Sequence, residues 1–121
     1  MAEINIPGIN EETGLELYGG DTDIYISVMK SFILNTPVSI RKLQDISQEN
    51  LPNYAITIHG LKSVLATIAA EELSERARNL ETLAKENNLP GIRALNADFI
   101  SDTEILIDEI KKWLETSDNI E

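Results

Sequence analysis

Apolar residues recur along most of the chain at intervals of three or four, a spacing that predicts amphipathic helices. Glycine and proline divide the sequence into helical segments at residues 21–36, 36–47, 50–70, 71–88 and 89–117. None of these segments has the alternating pattern of a strand. Short loops at Asn50–Leu51 and Asn87–Leu89 favour antiparallel neighbours. We therefore expect an all-α fold: an up-and-down antiparallel four-helix bundle with an N-terminal helical lead-in.

Caps and prolines predict where the helices begin. Asp21 follows two glycines and is a plausible N-cap, and Pro52 suits the first turn of a later helix. Thr36 followed by Pro37 predicts a cap and the start of a separate helix at residue 37. Residues 101–104 resemble a capping box, which would break the last segment. The seven-residue apolar repeat continues through it, so we prefer one long helix.

Each of the longer segments carries residues at helical spacing that predict its inner face. They are Ile24, Val28, Phe32 and Asn35; Tyr54, Ile58, Leu61, Leu65 and Ile68; Leu73, Ala77, Leu80 and Ala84; and Ile92, Phe99, Leu106 and Trp113. Stripes of this kind bury one side of each helix against its neighbours. Together they predict a single core.

Length and composition indicate one soluble domain over residues 1–121. The chain has 121 residues, of which 42% are hydrophobic, enough for one sizeable core. Its start lacks the basic and apolar regions of a signal peptide, and no apolar run approaches the roughly 20 residues that span a bilayer. We expect a cytoplasmic location and a monomer.

The charge of the chain narrows the classes of partner. Its net charge is −11, from 21 acidic and 10 basic residues. Such a surface repels phosphate backbones and anionic lipid, so we expect neither nucleic acid nor a membrane as a partner. Cysteine is absent and there is one histidine, so we expect no metal site and no cofactor.

The single histidine, His59, lies in the segment with the clearest apolar stripe. At about 100° per residue it falls about 140° from the centre of that stripe, which predicts an exposed imidazole. Gly60 beside it costs a helix roughly 1 kcal/mol relative to alanine, a cost consistent with space kept open for a large partner. Lys62 lies about 80° from the stripe and is expected to be largely exposed. The simpler interpretation is an ordinary surface histidine with a solvated lysine nearby.

Phosphate chemistry would use this pair. A neutral imidazole is a nucleophile near pH 7, and a lysine one helical turn away would stabilise a phosphoryl group on it. The surrounding sequence, "HGLKSVLATIAAEEL" followed by "RARNLETLAKEN", resembles the histidine-containing phosphotransfer (HPt) domain of bacterial phosphorelays. The resemblance extends from about Gly14 to Trp113. The positions that match the family pattern are His59, Leu61, Lys62, Ser63, Ala70, Leu73, Leu80 and Glu81.

Two positions depart from that pattern. The family usually has glycine where Ala69 stands, at the turn between the two central helices, and alanine fits there only if the backbone avoids positive φ. Leu65 stands where a small or polar residue is common. Both departures concern the turn and the packing and not the phosphate site.

The resemblance implies a role for each matching site residue. His59 accepts and donates a phosphoryl group on Nε2, and Lys62 pairs with the phosphate oxygens. Ser63 is small enough to let a partner domain close over the ring. Glu81 matches the position that holds the histidine's Nδ1–H; the alternative is an ordinary surface glutamate. On this basis Lys62→Ala is expected to slow transfer and to leave the fold intact.

The resemblance also implies a phosphocarrier and not an enzyme, since the chain has no nucleotide-binding glycine motif. His59 would accept the group from the aspartyl phosphate of a response-regulator receiver domain or a hybrid histidine kinase, and pass it to another receiver. The receiver would supply Mg²⁺. The alternative is a helical adaptor with an incidental histidine. The sequence leaves open the cognate partners, the pathway output, and whether the domain is free-standing or excised from a sensor kinase.

An apolar patch beside His59 is the expected docking surface. Ile56 lies one turn before His59 and roughly 160° from the core stripe. Ala55, Ser63 and Ala66 would keep the surrounding surface flat. A single surface isoleucine is common, so the pattern alone does not distinguish docking from chance.

Overall fold

The computed structural model of the chain describes residues 4–120, and the side chains of residues 4–116. Within this range all regular secondary structure is helical, which confirms the all-α expectation. The structure describes α1 (Glu11–Leu17), α2 (Thr22–Lys42), α3 (Leu51–Thr67), α4 (Glu71–Lys85) and α5 (Leu89–Ile120).

Helices α2 to α5 form an up-and-down bundle, as predicted. Helices α3 and α4 run antiparallel, because His59 contacts Glu81 while the carbonyl of Lys62 accepts from Ser74, earlier in α4. The Tyr25 hydroxyl, near the start of α2, donates to the carbonyl of Ile68 at the end of α3. Helix α5 packs against both α4 and α2 and so closes the bundle. The short α1 packs beside α2.

The predicted helix starts at Asp21 and Pro52 are confirmed. The Asp21 side chain accepts a hydrogen bond of 3.1 Å from the backbone N–H of Ile24, and Pro52 lies in the first turn of α3. Helix α1 has a cap of the same kind, in which Asn10 accepts from the N–H of Thr13. These side chains satisfy backbone donors that have no partner inside the helix.

The predicted break at Thr36 is wrong, because α2 continues through Pro37 to Lys42. Proline has no N–H, so the helix lacks one backbone hydrogen bond at this point. Thr36 is buried together with Ile40 one turn later. Thr36 therefore extends the buried face of α2 instead of capping a new helix.

The predicted inner face of α2 is also wrong in part. Ile24 and Asn35 are exposed and Val28 is half-buried, although Phe32 is buried as expected. The residues of α2 that are buried are Tyr25, Met29, Phe32, Thr36 and Ile40. Apolar residues surround much of this helix, so spacing alone supports more than one face.

The other predicted faces are confirmed. Every stripe residue of α3 and α4 is buried, and so are Ile92, Phe99 and Leu106 of α5, while Trp113 is half-buried. Helix α5 passes without a break through residues 101–104, as preferred. The connection from α2 to α3 is longer than predicted and covers residues 43–50, and that from α4 to α5 covers residues 86–88. Helix α2 ends at Lys42, and the next residue, Leu43, is buried in the core, where its carbonyl accepts from the buried Asn96.

The turn between α3 and α4 requires the conformation that the sequence argued against. Ala69 has a φ of +61°, in the left-handed region that favours glycine. Its carbonyl accepts a hydrogen bond of 3.0 Å from the N–H of Asn10, and the N–H of Ala70 donates to the carbonyl of Leu65. The turn is thus held by α3 and by the residue that caps α1. The expectation that alanine avoids positive φ here is wrong.

Candidate functional site

The imidazole of His59 projects from the middle of α3 into solvent. Its side chain is 60% exposed, whereas Ile58 before it and Leu61 after it are buried in the core. This confirms that His59 lies off the core stripe. Because both flanking residues are anchored, the helix fixes the direction in which the ring leaves the bundle.

A buried carboxylate from α4 holds one side of the ring. Glu81 is only 5% exposed, and its Oε2 lies 2.7 Å from Nδ1 of His59. The other oxygen, Oε1, accepts a hydrogen bond of 2.7 Å from Nζ of Lys62. A second lysine, Lys85, places its Nζ at 3.3 Å from Oε2. Glu81 is therefore not an ordinary surface glutamate, because three nitrogen donors converge on it.

These donors keep the carboxylate ionised despite its burial. The hydrogen bond from Lys62 is the largest cause that lowers the pKa of Glu81, from 4.5 to about 2; burial opposes it, and hydrogen bonds from His59 and Lys85 add to it. An ionised carboxylate can only accept hydrogen bonds. Nδ1 of His59 must then carry the proton that it shares with Glu81. In the neutral ring this leaves the lone pair on Nε2, the nitrogen on the opposite side of the imidazole.

Lys62 is more buried than the helical pattern predicts. Its side chain is 25% exposed, so the expectation of a largely exposed lysine is wrong. Helix α4 covers this side of α3, and the carbonyl of Lys62 accepts from the Ser74 hydroxyl. The aliphatic stem is enclosed while the ammonium reaches Glu81, as is common for lysine at a packed surface.

Small residues surround the exposed side of the ring. Ser63 and Ala66 are exposed on the turns that follow His59, and Ala55 on the preceding turn is half-buried. The Ser63 hydroxyl donates to the carbonyl of His59 at 3.3 Å and stays close to the helix. Gly60 faces open space: a Cβ built there meets no atom within 4 Å. Nothing large within the described residues of α3 shields the ring on this side.

A groove with polar and apolar walls lies between α2 and α3, and it includes Gly60, the residue after His59. Ile56, one turn before His59, is 72% exposed, as its position off the stripe predicts. Together with Gly60 and Val64 it lines a cavity of about 550 Å³ whose other wall is α2. Val64 was not singled out from the sequence, although an apolar residue off the core stripe is a usable signal.

Lys85 is the other site residue that the sequence analysis missed. It follows Glu81 by four positions on α4, a spacing at which opposite charges meet on a helix. That spacing could have identified it. The sequence did not indicate that Glu81 would be buried. Because it is buried, its carboxylate depends on the neighbouring positive charges to stay ionised.

Two negative findings apply to the described part of the chain. Within it, no group of three or more His, Asp or Glu residues lies close enough to hold a metal ion. Among residues 4–120, no helix is both long and apolar enough to cross a membrane.

Comparison with known proteins gives one match. The sequence model of the Hpt domain matches residues 27–120, a range that includes His59, Lys62 and Glu81. No curated protein and no solved structure matches the chain. Because the family model covers most of its length, the chain belongs to the family of Hpt domains.

Proposed function

We propose that His59 accepts a phosphoryl group on Nε2 from the aspartyl phosphate of a receiver domain and passes it to another receiver. One observation carries this proposal. The chain has a single histidine, its ring is 60% exposed, and Glu81 holds its Nδ1. The nucleophilic nitrogen is thereby directed outwards, where a partner can reach it.

Family membership supplies the general framework. Hpt domains are phosphocarriers and not kinases, and they take part in histidine phosphotransfer within phosphorelays. They interact with receiver domains and histidine kinases. For this chain we propose a response-regulator receiver domain, on its own or within a hybrid histidine kinase, as donor and as acceptor.

The transfer step needs few protein groups. The Nε2 lone pair attacks phosphorus, the P–Nε2 bond forms, and the bond from phosphorus to the receiver's aspartyl oxygen breaks and releases a carboxylate. Because Nδ1 keeps its proton, positive charge develops on the ring, and the ionised Glu81 2.7 Å away stabilises it. Mg²⁺ on the receiver would supply further neutralisation of phosphate charge.

The remaining site residues have supporting roles in this proposal. Glu81 orients the ring, and Lys62 keeps that carboxylate ionised and supplies positive charge near the phosphoryl group. Ser63 is small and bonded to its own helix, so it leaves the approach to Nε2 open. These assignments rest on the contacts of Glu81 and on the family match.

Ile56 is the proposed centre of the docking surface, with Ala55 and Ala66 beside it. Ile56 is exposed next to the groove between α2 and α3, and Ala66 is exposed on the side of His59. Isolated exposed apolar residues are common. An exposed isoleucine beside a groove and one turn from the nucleophile fits a modest, transient interface.

We further propose that the chain acts as one domain over residues 1–121. The family model covers residues 27–120. Ile4 and Ile6, which precede that range, are buried in the same core cluster as the bundle helices. This burial supports a single unit that includes the N-terminal segment from residue 4 onwards.

Incubation with a receiver domain that has been phosphorylated on aspartate tests the function. We expect the wild-type chain to acquire acid-labile label and His59→Gln to acquire none. Label that persists in His59→Gln would place the acceptor elsewhere. A wild-type chain that binds the receiver and acquires no label would instead indicate a helical adaptor with an incidental histidine.

A further inference from the structure

Lys85 is a second cation at the site, and its position differs from that of Lys62. Its Nζ lies 3.3 Å from Oε2 of Glu81, the same oxygen that accepts from Nδ1 of His59. Its side chain is 69% exposed. The ammonium therefore shares a carboxylate oxygen with the imidazole and is in contact with solvent.

The two lysines differ in how firmly Glu81 holds them. Lys62 is mostly enclosed and donates at 2.7 Å to Oε1, which has no second donor among the described contacts. Lys85 lies farther from Oε2 and shares that oxygen with His59. Because solvent screens the exposed ammonium of Lys85, this ion pair contributes little stability. If Lys85 leaves Glu81, the buried carboxylate still has a cationic partner, because Lys62 remains hydrogen-bonded to it.

A phosphoryl group on Nε2 changes the charge balance at this point. It adds negative charge on the far side of the ring from the ionised Glu81 carboxylate, in a protein whose net charge is already −11. A cation that can move from the carboxylate to the phosphoryl oxygens would offset that repulsion. Such a cation must be exposed, have a long flexible side chain and be held only weakly by the carboxylate. Lys85 has all three properties, because its contact with Glu81 is 3.3 Å long.

We propose that Lys85 leaves Glu81 and binds the phosphoryl oxygens once the group is on His59, while Lys62 stays with Glu81. This inference rests on the proposed function of His59 and adds to it the residue that recognises the transferred group. It adds Lys85 as a second cation at the phosphoryl group, beside Lys62, which maintains the charge of Glu81 and supplies positive charge nearby.

The test uses potassium phosphoramidate as a small phosphodonor that has no docking surface. Nε2 attacks its phosphorus, the donor's P–N bond breaks, and ammonia leaves. We expect Lys85→Met to form phosphohistidine about threefold to fivefold more slowly than the wild type, the range for one exposed charge pair. Lys85→Arg keeps the positive charge and should retain most of the rate. Phosphorus NMR of the intact chain measures both.

Arg78→Met is the matched control. Arg78 lies on the same helix, two turns before Lys85, and is equally exposed, but its partner is Glu75 and not Glu81. We expect its rate to equal that of the wild type. An equal loss in Arg78→Met and Lys85→Met would overturn the inference in favour of general attraction of the anion.

The remaining outcomes separate the two proposals. Absence of phosphohistidine in the wild type, with phosphoramidate and with a phosphorylated receiver, would overturn the proposed function. A labelled wild type with an unchanged rate in Lys85→Met would overturn only the role of Lys85. In the chain with ¹⁵N-labelled lysine, we expect phosphorylation to slow proton exchange at Nζ of Lys85. Unchanged exchange there would also contradict the proposed contact.

Discussion

At the scale of single residues, the site depends on a carboxylate that is both buried and charged. Removing a carboxylate from water disfavours its ionised form, and hydrogen bonds to that form oppose the effect. In Glu81 the hydrogen bonds dominate, so its pKa falls to about 2. One residue thereby fixes the ring tautomer and links α3 to α4. Its contribution should be visible both in stability and in transfer.

Glu81 should make the stability of the fold depend on pH in acid. Its pKa is about 2 in the folded chain against an ordinary 4.5. The ionised carboxylate therefore favours the folded state above about pH 4.5, and this contribution is lost as the pH falls from 4.5 towards 2. Its size is on the order of 3 kcal/mol. Urea unfolding of the wild type and Glu81→Gln between pH 7 and pH 2 measures it.

The difference in unfolding free energy between these two chains is the informative quantity, since it removes the effect of the other acidic groups. We expect it to shrink steadily below pH 4.5. A difference that stays constant down to pH 2 would show that Glu81 titrates normally in the folded chain.

Lys62 should affect both transfer and stability. In Lys62→Ala the buried Glu81 loses its principal partner, which should cost about 2 kcal/mol of stability. Transfer should slow about tenfold, because the carboxylate no longer holds the ring as firmly. Lys112→Ala is the control: Lys112 is 73% exposed and pairs with Glu109 at 3.7 Å. Thermal unfolding and receiver transfer assays check both variants; unchanged stability in Lys62→Ala would restore the expectation of a merely exposed lysine.

The sequence predicts the identities of these residues better than their surroundings. The helical pattern correctly places His59 outside the core stripe, because Tyr54, Ile58, Leu61 and Leu65 leave little doubt about the inner face. It misjudges Lys62, since spacing on one helix cannot reveal that a neighbouring helix covers that side. Burial of this kind depends on how two helices pack, which no single segment encodes.

At the scale of elements, the turn between α3 and α4 sets the distance between His59 and Glu81. Ala69 adopts a φ of +61° there, and alanine is disfavoured in that region by roughly 1–2 kcal/mol. The turn persists because neighbouring groups bind it, including the N–H of Asn10. The strained backbone of Ala69 therefore lies directly between α3 and α4, the two helices that carry the site.

Substitution of two adjacent alanines by glycine tests this strain. Ala69→Gly should stabilise the fold by about 0.5 kcal/mol, because relief of the strained φ exceeds the lost methyl contact and the added chain entropy. Ala70→Gly should destabilise the fold by about 1 kcal/mol. Ala70 is buried with a φ of −85°, so glycine relieves no strain there and only removes the methyl contact and adds chain entropy. Chemical denaturation measures both. Effects of the same sign in the two variants would contradict a strain specific to Ala69.

Helix α2 shows why boundaries are harder to predict than helices. The pair Thr36–Pro37 has the form of a helix start, yet Thr36 is buried and the helix continues. Burial of this segment against the bundle outweighs the hydrogen bond that proline removes. The capping-box pattern at residues 101–104 does not interrupt α5, as the apolar repeat on both sides of it predicts.

At the scale of the whole molecule, the bundle presents His59 close to a groove, on a strongly acidic chain. The pattern of helical segments and short loops correctly predicts the antiparallel order of the helices. It does not give the groove between α2 and α3, because the groove depends on which face α2 turns inwards. That face was predicted incorrectly from Ile24 and Val28, so the surface next to Ile56 emerges only from the packed bundle.

Ile56→Asp tests whether this surface binds the receiver. Ile56 is 72% exposed, so a charge there should leave thermal stability nearly unchanged. At the centre of a small interface, the same charge would be desolvated against apolar partner atoms, and we expect receiver affinity to fall about tenfold. Titration calorimetry with an unphosphorylated receiver measures the affinity, and labelling by phosphoramidate checks that His59 remains reactive.

Ile105→Asp is the matched control for this substitution. Ile105 is also an exposed isoleucine, but it belongs to α5 and lines a shallow site with Arg76 and Asp102 on the side of α4 and α5. Its variant should bind the receiver as the wild type does. Equal losses in both variants would indicate general repulsion by added negative charge, and unchanged binding in Ile56→Asp would place docking elsewhere. Loss of affinity confined to Ile56→Asp, with normal labelling by phosphoramidate, would separate recognition of the receiver from the chemistry at His59.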